Sequence, residues 1–301
     1  MGSAQVNMQI STSVFLNCMR PWLVAVIMLA ALPSRSIRAE QASGAWQSTE
    51  EAAVRLVAAQ NRLDANGWVW LGIHIKLAPG WKTYWRNPGE SGAPPRFDWS
   101  TSGNVGAVEV RWPAPQRFSA FGFDSFGYHD QIVLPVFLQA TAPSQAMTAR
   151  LNLDYMVCAQ VCIPMQAKLA LHLPADDAGA KAKPSAFAPL IQHYLERVPQ
   201  PVDKAGMAIE SALVSGPPGQ QILYIKGHSE QPFMAPDLMV EGPDPFGFGR
   251  PILTYGAGRR DVTLALPVYT GTGKTELTTQ ALTVTLVDGH RAVERRLNLG
   301  Q

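Results

Sequence analysis

Two stretches of strict alternation, separated only by a cysteine-flanked connection, most constrain this chain. Leu151, Leu153, Tyr155 and Val157 alternate with Asn152, Asp154, Met156 and Cys158. Beyond Cys162, Ala167, Leu169, Leu171 and Leu173 alternate with Lys168, Ala170 and His172. A two-residue period sends successive side chains to opposite faces, so both stretches are half-buried strands rather than helices. Only Ala159, Gln160 and Val161 lie between the cysteines, which suits a β-hairpin and nothing longer. A turn there can bring the two Cα atoms within the ~4.4–6.8 Å that a disulfide requires.

The same alternation recurs along the chain. Residues 52–59, 68–77, 105–112, 131–140, 149–157 and 165–173 read as strands, and 81–85 adds a seventh. Turn clusters separate them, notably NPGESGAPP at 87–95 and WPAPQRF at 112–118. Short strands without intervening helices predict an all-β fold, an antiparallel sandwich of immunoglobulin type. From 175 to 205 the chain turns small, polar and proline-containing, as a linker would, with a short helix over 187–198 stopped by Pro199 and Pro201. A second β-sandwich-like domain is expected over 206–301, its clearest strands at 222–225, 262–268, 282–287 and 292–297. The cysteine segment falls in the first domain, 40–174.

The N-terminus reads as an address. Arg20 precedes the apolar run PWLVAVIMLAAL, which is shorter than the ~20 residues of a membrane span, and small residues follow up to Ala39. A signal peptide over 1–39 predicts export, and its removal takes Cys18 with it. Cys158 and Cys162 are then the cysteines that remain, in an oxidising compartment. The 301 residues carry a formal net charge of only +2, which excludes a strongly basic nucleic-acid binder.

Three chemistries fit an isolated C-x3-C pair. A structural staple closing so short a loop contributes only ~2 kcal/mol. Dithiol–disulfide exchange needs two thiols close together on an exposed turn, one attacked and the other resolving. A soft-metal site is the third, because Met156, Cys158, Cys162 and Met165 form an M-x-C-x3-C-x2-M set suited to Cu(I). No organic cofactor is expected, and the six histidines are dispersed without ligand spacing.

Four ordered motifs add a resemblance. GWKTYWRNPGESGAPPRFDWS at 80–100, WPAPQRF at 112–118, FGYHDQIVLPV at 126–136 and YMVCAQVCIP at 155–164 resemble the N-terminal periplasmic domain of the thiol:disulfide interchange protein DsbD, most closely its ScsB-like branch. The resemblance is firm over 50–174, and the closing LTVTLVDGHRAVERRLNL is similar to the second part of the ScsB periplasmic region. It implies an immunoglobulin-like periplasmic domain whose redox pair, here Cys158 and Cys162, is reduced by a transmembrane domain. The pair then serves thioredoxin-like partners such as disulfide isomerases or cytochrome c maturation factors. With no membrane span read after residue 39, the donor is expected to be a separate transmembrane thiol reductase. The family's shielding cap phenylalanine falls at Phe121, with Phe118 and Phe123 as near substitutes. Two departures stand out. The cysteine spacing is C-x3-C rather than C-x5-C, and Ser119 and Ala120 replace an acidic pair. Asp124 or Asp154 could stand in for those acids, although solvated surface carboxylates are the plainer expectation.

Overall fold

The computed structural model describes residues 42–120, 122–175, 181–201, 206–270, 276–277 and 280–299. The expected signal peptide and Cys18 lie outside the described residues. The N-terminal half runs β1 (Gln47–Ser48), β2 (Ala52–Ala58), β3 (Trp68–Leu77), β4 (Lys82–Gly89), β5 (Arg96–Asp98), β6 (Val108–Val110), β7 (Gln116–Ala120), β8 (Phe123–His129), β9 (Gln131–Gln139), β10 (Met147–Cys158) and β11 (Cys162–Leu173). One sheet has the order β1-β2-β3-β9-β6 and another β11-β10-β4-β8-β7, with β5 beside β10. They form an immunoglobulin-like β-sandwich. Leu56, Leu71, Ile73, Val136, Trp85, Phe126, Leu151, Leu153 and Leu169 share one core. Each such side chain removed from water contributes roughly 1.5–3 kcal/mol.

Strand boundaries depart from the sequence reading in instructive places. The expected strand over 105–112 shrinks to Val108–Val110. It is an edge strand, entered through Asn104 at φ 59° and left at Pro113. The expected turn at 112–118 ends early, because Gln116–Ala120 is a strand. β8 had no counterpart in the alternation. Its Gly127 is required by packing: a Cβ there would lie 1.9 Å from the Thr83 carbonyl oxygen on β4. Glycine and serine in a central strand therefore mimic turn composition while serving close backbone approach.

Helix α1 (Ala188–Leu195) buries Ile191 and Tyr194, and the Tyr194 hydroxyl donates to the Gln131 carbonyl at 3.0 Å. It packs against β3 and β9, so the segment following the sandwich is docked on it. The C-terminal half comprises β12 (Met207–Ser215), β13 (Ile222–Ser229), β14 (Pro236–Glu241), β15 (Gly247–Phe248), β16 (Ile252–Tyr255), β17 (Asp261–Tyr269), β18 (Ala281–Asp288) and β19 (Arg291–Asn298). Its sheets are β12-β13-β17-β15, with β16 on β17, and β14-β18-β19. They enclose a second core of Leu223, Ile225, Phe233, Leu264, Leu266, Val284 and Leu286. The halves touch directly. Met239, Val287 and Ala292 join the first core, and Arg86 on β4 is bonded to Glu241 at 2.6 Å and to Glu294.

His74 on β3 is buried among Trp46, Arg55, Lys76 and Gln131. Burial lowers its pKa from the ordinary 6.5 to about 4; the Gln131 hydrogen bond opposes this, while Arg55 and Lys76 reinforce it. The unfolded chain therefore binds a proton between those limits that the folded chain refuses. Stability is unaffected above pH ~6.5 and falls as pH drops toward ~4, by at most ~3 kcal/mol. Urea midpoints at pH 7 and 4.5 check this. His74→Gln is expected to show a shallower loss than the parent, and parallel losses would refute the assignment.

Candidate redox site at a hairpin tip

The site is built by one ladder. β10 and β11 pair without a bulge from Met147↔Leu173 to Cys158↔Cys162, so the two cysteines face each other as the last pair. Their sulfurs are joined in a disulfide with Cα atoms 4.1 Å apart, and the turn closes through the Ala159 amide donating to the Val161 carbonyl at 3.1 Å. Alternation fixes which face the disulfide occupies. Leu151, Leu153, Tyr155 and Val157 point into the core, so Met156, Cys158, Cys162 and Pro164 share the outer face. The two sulfurs are not equivalent: Cys158 is 2% exposed, whereas Cys162 is exposed beside Val161 at the tip.

Cys158 is covered by β4. The Thr83 hydroxyl donates to the Met156 carbonyl at 2.9 Å and pins β4 to β10, with Lys82 opposite Cys158. Tyr84, two residues on, lies on the same face. Its hydroxyl donates to Cys158 Sγ at 2.8 Å and lies 3.5 Å from Cys162 Sγ. Burial pushes the Tyr84 phenol above its ordinary pKa, partly offset by the Ser91 hydroxyl, so it remains a donor at neutral pH. Two neighbours wedge the ring. Gly92, at φ 95°, packs so closely that a Cβ would lie 2.2 Å from ring atoms of Tyr84. On the other side, the Phe118 ring is 6.1 Å away centroid to centroid, and the Lys82 ammonium stands 4.4 Å above Phe118.

Among the three aromatic candidates, Phe118 is half-buried against Tyr84, Phe123 is 53% exposed, and Phe121 lies outside the described residues. Both carboxylate candidates are elsewhere engaged. Asp154 accepts from Gln166 at 3.0 Å. Asp124, expected as a solvated surface group, is instead held by Arg250, Ser119 and Arg117. These partners, Arg250 foremost, outweigh its burial and keep its carboxyl well below the usual carboxylate range. The soft-donor set divides. Met156 shares the cysteine face, but Met165 pairs with Tyr155 and points to the core side. Tyr84 is the residue that alternation alone did not single out. The available signal was that Lys82 and Tyr84 share the face opposite the buried Thr83 and Trp85.

The family described as "Thiol:disulfide interchange protein DsbD, N-terminal" matches residues 49–174. That segment is a DsbD N-terminal domain. Residues 197–301 match a family described as "Domain of unknown function (DUF8393)". No curated protein matches the chain. Among solved structures, the N-terminal periplasmic domain of ScsB from Proteus mirabilis aligns with a TM-score of 0.68 and 25% identity, covering 87% of this chain and 100% of that one. The ScsB alignment thus extends beyond the DsbD N-terminal domain into the C-terminal half. With the disulfide in place, the first half is a thiol–disulfide interchange module of the DsbD type.

The Tyr84 hydroxyl is positioned to stabilise negative charge on Cys158 when the disulfide opens. A hydrogen bond to a charged group contributes roughly 1.5–3 kcal/mol, so its loss corresponds to about a tenfold rate change at the lower end. Tyr84→Phe is expected to slow reduction of the disulfide by dithiothreitol about tenfold without altering the fold, as measured by quenched alkylation. An unchanged rate would show that the hydroxyl is a bystander.

Proposed function

We propose that this protein is a periplasmic thiol–disulfide exchange protein that carries electrons through Cys158 and Cys162. In this reading it receives them from a membrane thiol reductase and passes them to thioredoxin-like partners, such as a disulfide isomerase or a cytochrome c maturation factor. The observation that carries the reading is the asymmetry of the pair: one sulfur exposed at a hairpin tip, the other buried under a hydroxyl donor. The matches to the DsbD N-terminal family and to the periplasmic domain of ScsB support the exchange chemistry and the periplasmic compartment.

The chemistry follows from that asymmetry. In the reduced protein, the Cys162 thiolate attacks one sulfur of a partner disulfide. The partner's other sulfur leaves as a thiolate, and a mixed disulfide joins Cys162 to the partner. Cys158, deprotonated under the Tyr84 hydroxyl, then attacks Cys162 Sγ. The intramolecular disulfide reforms and the partner departs with both sulfurs reduced, so two electrons have moved. Recharging reverses the roles: a donor thiolate attacks the exposed Cys162 Sγ, and the electron pair of the broken S–S bond stays on Cys158. The donor's second thiolate then attacks the donor sulfur of the mixed disulfide, so Cys162 leaves as a thiolate and the donor departs oxidised. Exposure decides the order, because thiol–disulfide exchange requires access along the S–S axis and Cys158 offers none.

A copper-binding reading has less support. The ladder gives Met156 to the cysteine face and turns Met165 away, so the four sulfurs of the sequence motif do not converge.

The test is trapping. Cys158→Ser leaves the attacking Cys162 without its resolving partner and is expected to accumulate a mixed disulfide with a periplasmic thioredoxin-like protein, visible on a non-reducing gel. Cys162→Ser is expected to accumulate at least tenfold less. Greater trapping by Cys162→Ser would reverse the assignment of roles, equal trapping by both variants would abolish it, and trapping by neither would remove the exchange function.

A further inference from the structure

The strand that carries Phe118 is held from behind by the C-terminal half. On β7 and β8, Ser119 and Asp124 are ladder partners on the face opposite Phe118. Arg250, between β15 and β16, reaches both. Its Nη2 donates to Asp124 Oδ1 at 2.8 Å and to Ser119 Oγ at 2.5 Å, and its Nε donates to Asp124 Oδ2 at 3.1 Å. The Ser119 hydroxyl also donates to Asp124. Arg117, 8% exposed, completes the bridge. Its Nη1 donates to Asp124 Oδ2 at 2.9 Å, its Nε to Asp237 Oδ2 at 2.9 Å, and its Nη2 to the Leu238 carbonyl at 2.9 Å on β14. Ordinary sandwich packing does not need such a cluster. It commits two guanidinium groups and two carboxylates to fixing two adjacent strands to the other half of the molecule.

The consequence runs along a chain of direct contacts. Phe118 is the sequence neighbour of Ser119, its ring lies tilted beside Tyr84 with centroids 6.1 Å apart, and the Tyr84 hydroxyl rests on Cys158 Sγ. We propose that the C-terminal half serves the redox site as a positioning element, with Arg250 as the positioning residue that holds Phe118 against Tyr84 and so keeps the phenol on Cys158. This rests on the exchange reading and gives the second half a part in it. Arg250 touches neither sulfur and acts only through the strand it grips.

The expected behaviour is coupling to Tyr84. In the full chain, Arg250→Gln is expected to slow dithiothreitol reduction of the disulfide about three- to fivefold, and Arg250→Lys to recover part of that loss. In a Tyr84→Phe background, Arg250→Gln is expected to change nothing further. Because the side chain of Arg250 is 60% exposed, 0.5 M NaCl should weaken its grip, slowing the wild type but not the Arg250→Gln variant. Arg111→Gln, which removes an exposed arginine paired with Glu109, serves as the control and should leave the rate unchanged. Wild-type rates in Arg250→Gln would overturn the proposal. So would equal slowing by Arg250→Gln with and without the Tyr84→Phe change, which would mark a general structural effect. A disulfide that dithiothreitol cannot open in the folded wild type would instead sink the exchange reading itself.

Discussion

The register of the β10–β11 ladder is the constraint on which the site depends. Twelve consecutive pairs, from Met147↔Leu173 to Cys158↔Cys162, are bound to one another by a side-chain period of two. Four leucines, Leu151, Leu153, Leu169 and Leu171, must point into the core, and their burial fixes every other residue of the hairpin. A slip of one residue would drive Asn152, Asp154 and Lys168 inward and expose all four leucines. The cysteines therefore meet because the hydrophobic pattern below them allows one alignment. The disulfide records that alignment and contributes little to enforcing it, since closing so short a loop restricts the unfolded chain only slightly.

The surroundings divide the labour between two kinds of force. Apolar packing orients the strands, while a small number of polar contacts differentiate the sulfurs. Tyr84 illustrates the division: its ring is wedged between Gly92 and Phe118, and only its hydroxyl has chemistry to perform. The charged cluster of Arg117, Asp124, Asp237 and Arg250 works in the same manner at longer range. Both carboxylate oxygens of Asp124 are matched by donors, so the ion pairs are locally complete; left incomplete, such burial is costly. Arg86 with Glu241 and Glu294 repeats the arrangement at a second point of contact between the halves.

What could be read from sequence was whatever follows from periodicity. The hairpin, the position of the cysteines at its end and the β-sandwich class all follow from alternation alone. The strand β8 did not, because Ser125 and Gly127 occupy positions where alternation expects bulk, and only the β4 backbone lying against Gly127 explains its size. The pairing of Tyr84 with Cys158 was equally hidden. The two are 74 residues apart, and their meeting depends on β4 lying beside β10, a fact of topology rather than composition. The M-x-C-x3-C-x2-M spacing shows the opposite failure: it groups four sulfurs along the chain that the pleat sends to two faces. Asp124 looked like a surface carboxylate because Arg250, its principal partner, lies 126 residues away.

Placing the pair at a strand end has a physical consequence. In many redox proteins the reactive thiolate sits at a helix N-terminus, where unpaired backbone amides and the helix dipole stabilise its charge. Here α1 lies against β3 and β9 of the other sheet and contributes nothing to the cysteines. Within a β-ladder the neighbouring amides are already committed to cross-strand carbonyls. Charge left on Cys158 must therefore be met by side chains, and the hydrogen-bonding group in place is the Tyr84 hydroxyl. A single rotatable hydroxyl is useful only if its ring is fixed, since a displacement of about 1 Å would break the contact. This explains why the molecule commits so much structure to Tyr84: a glycine-lined turn on one side, and on the other a phenylalanine whose strand is bolted to the second β half.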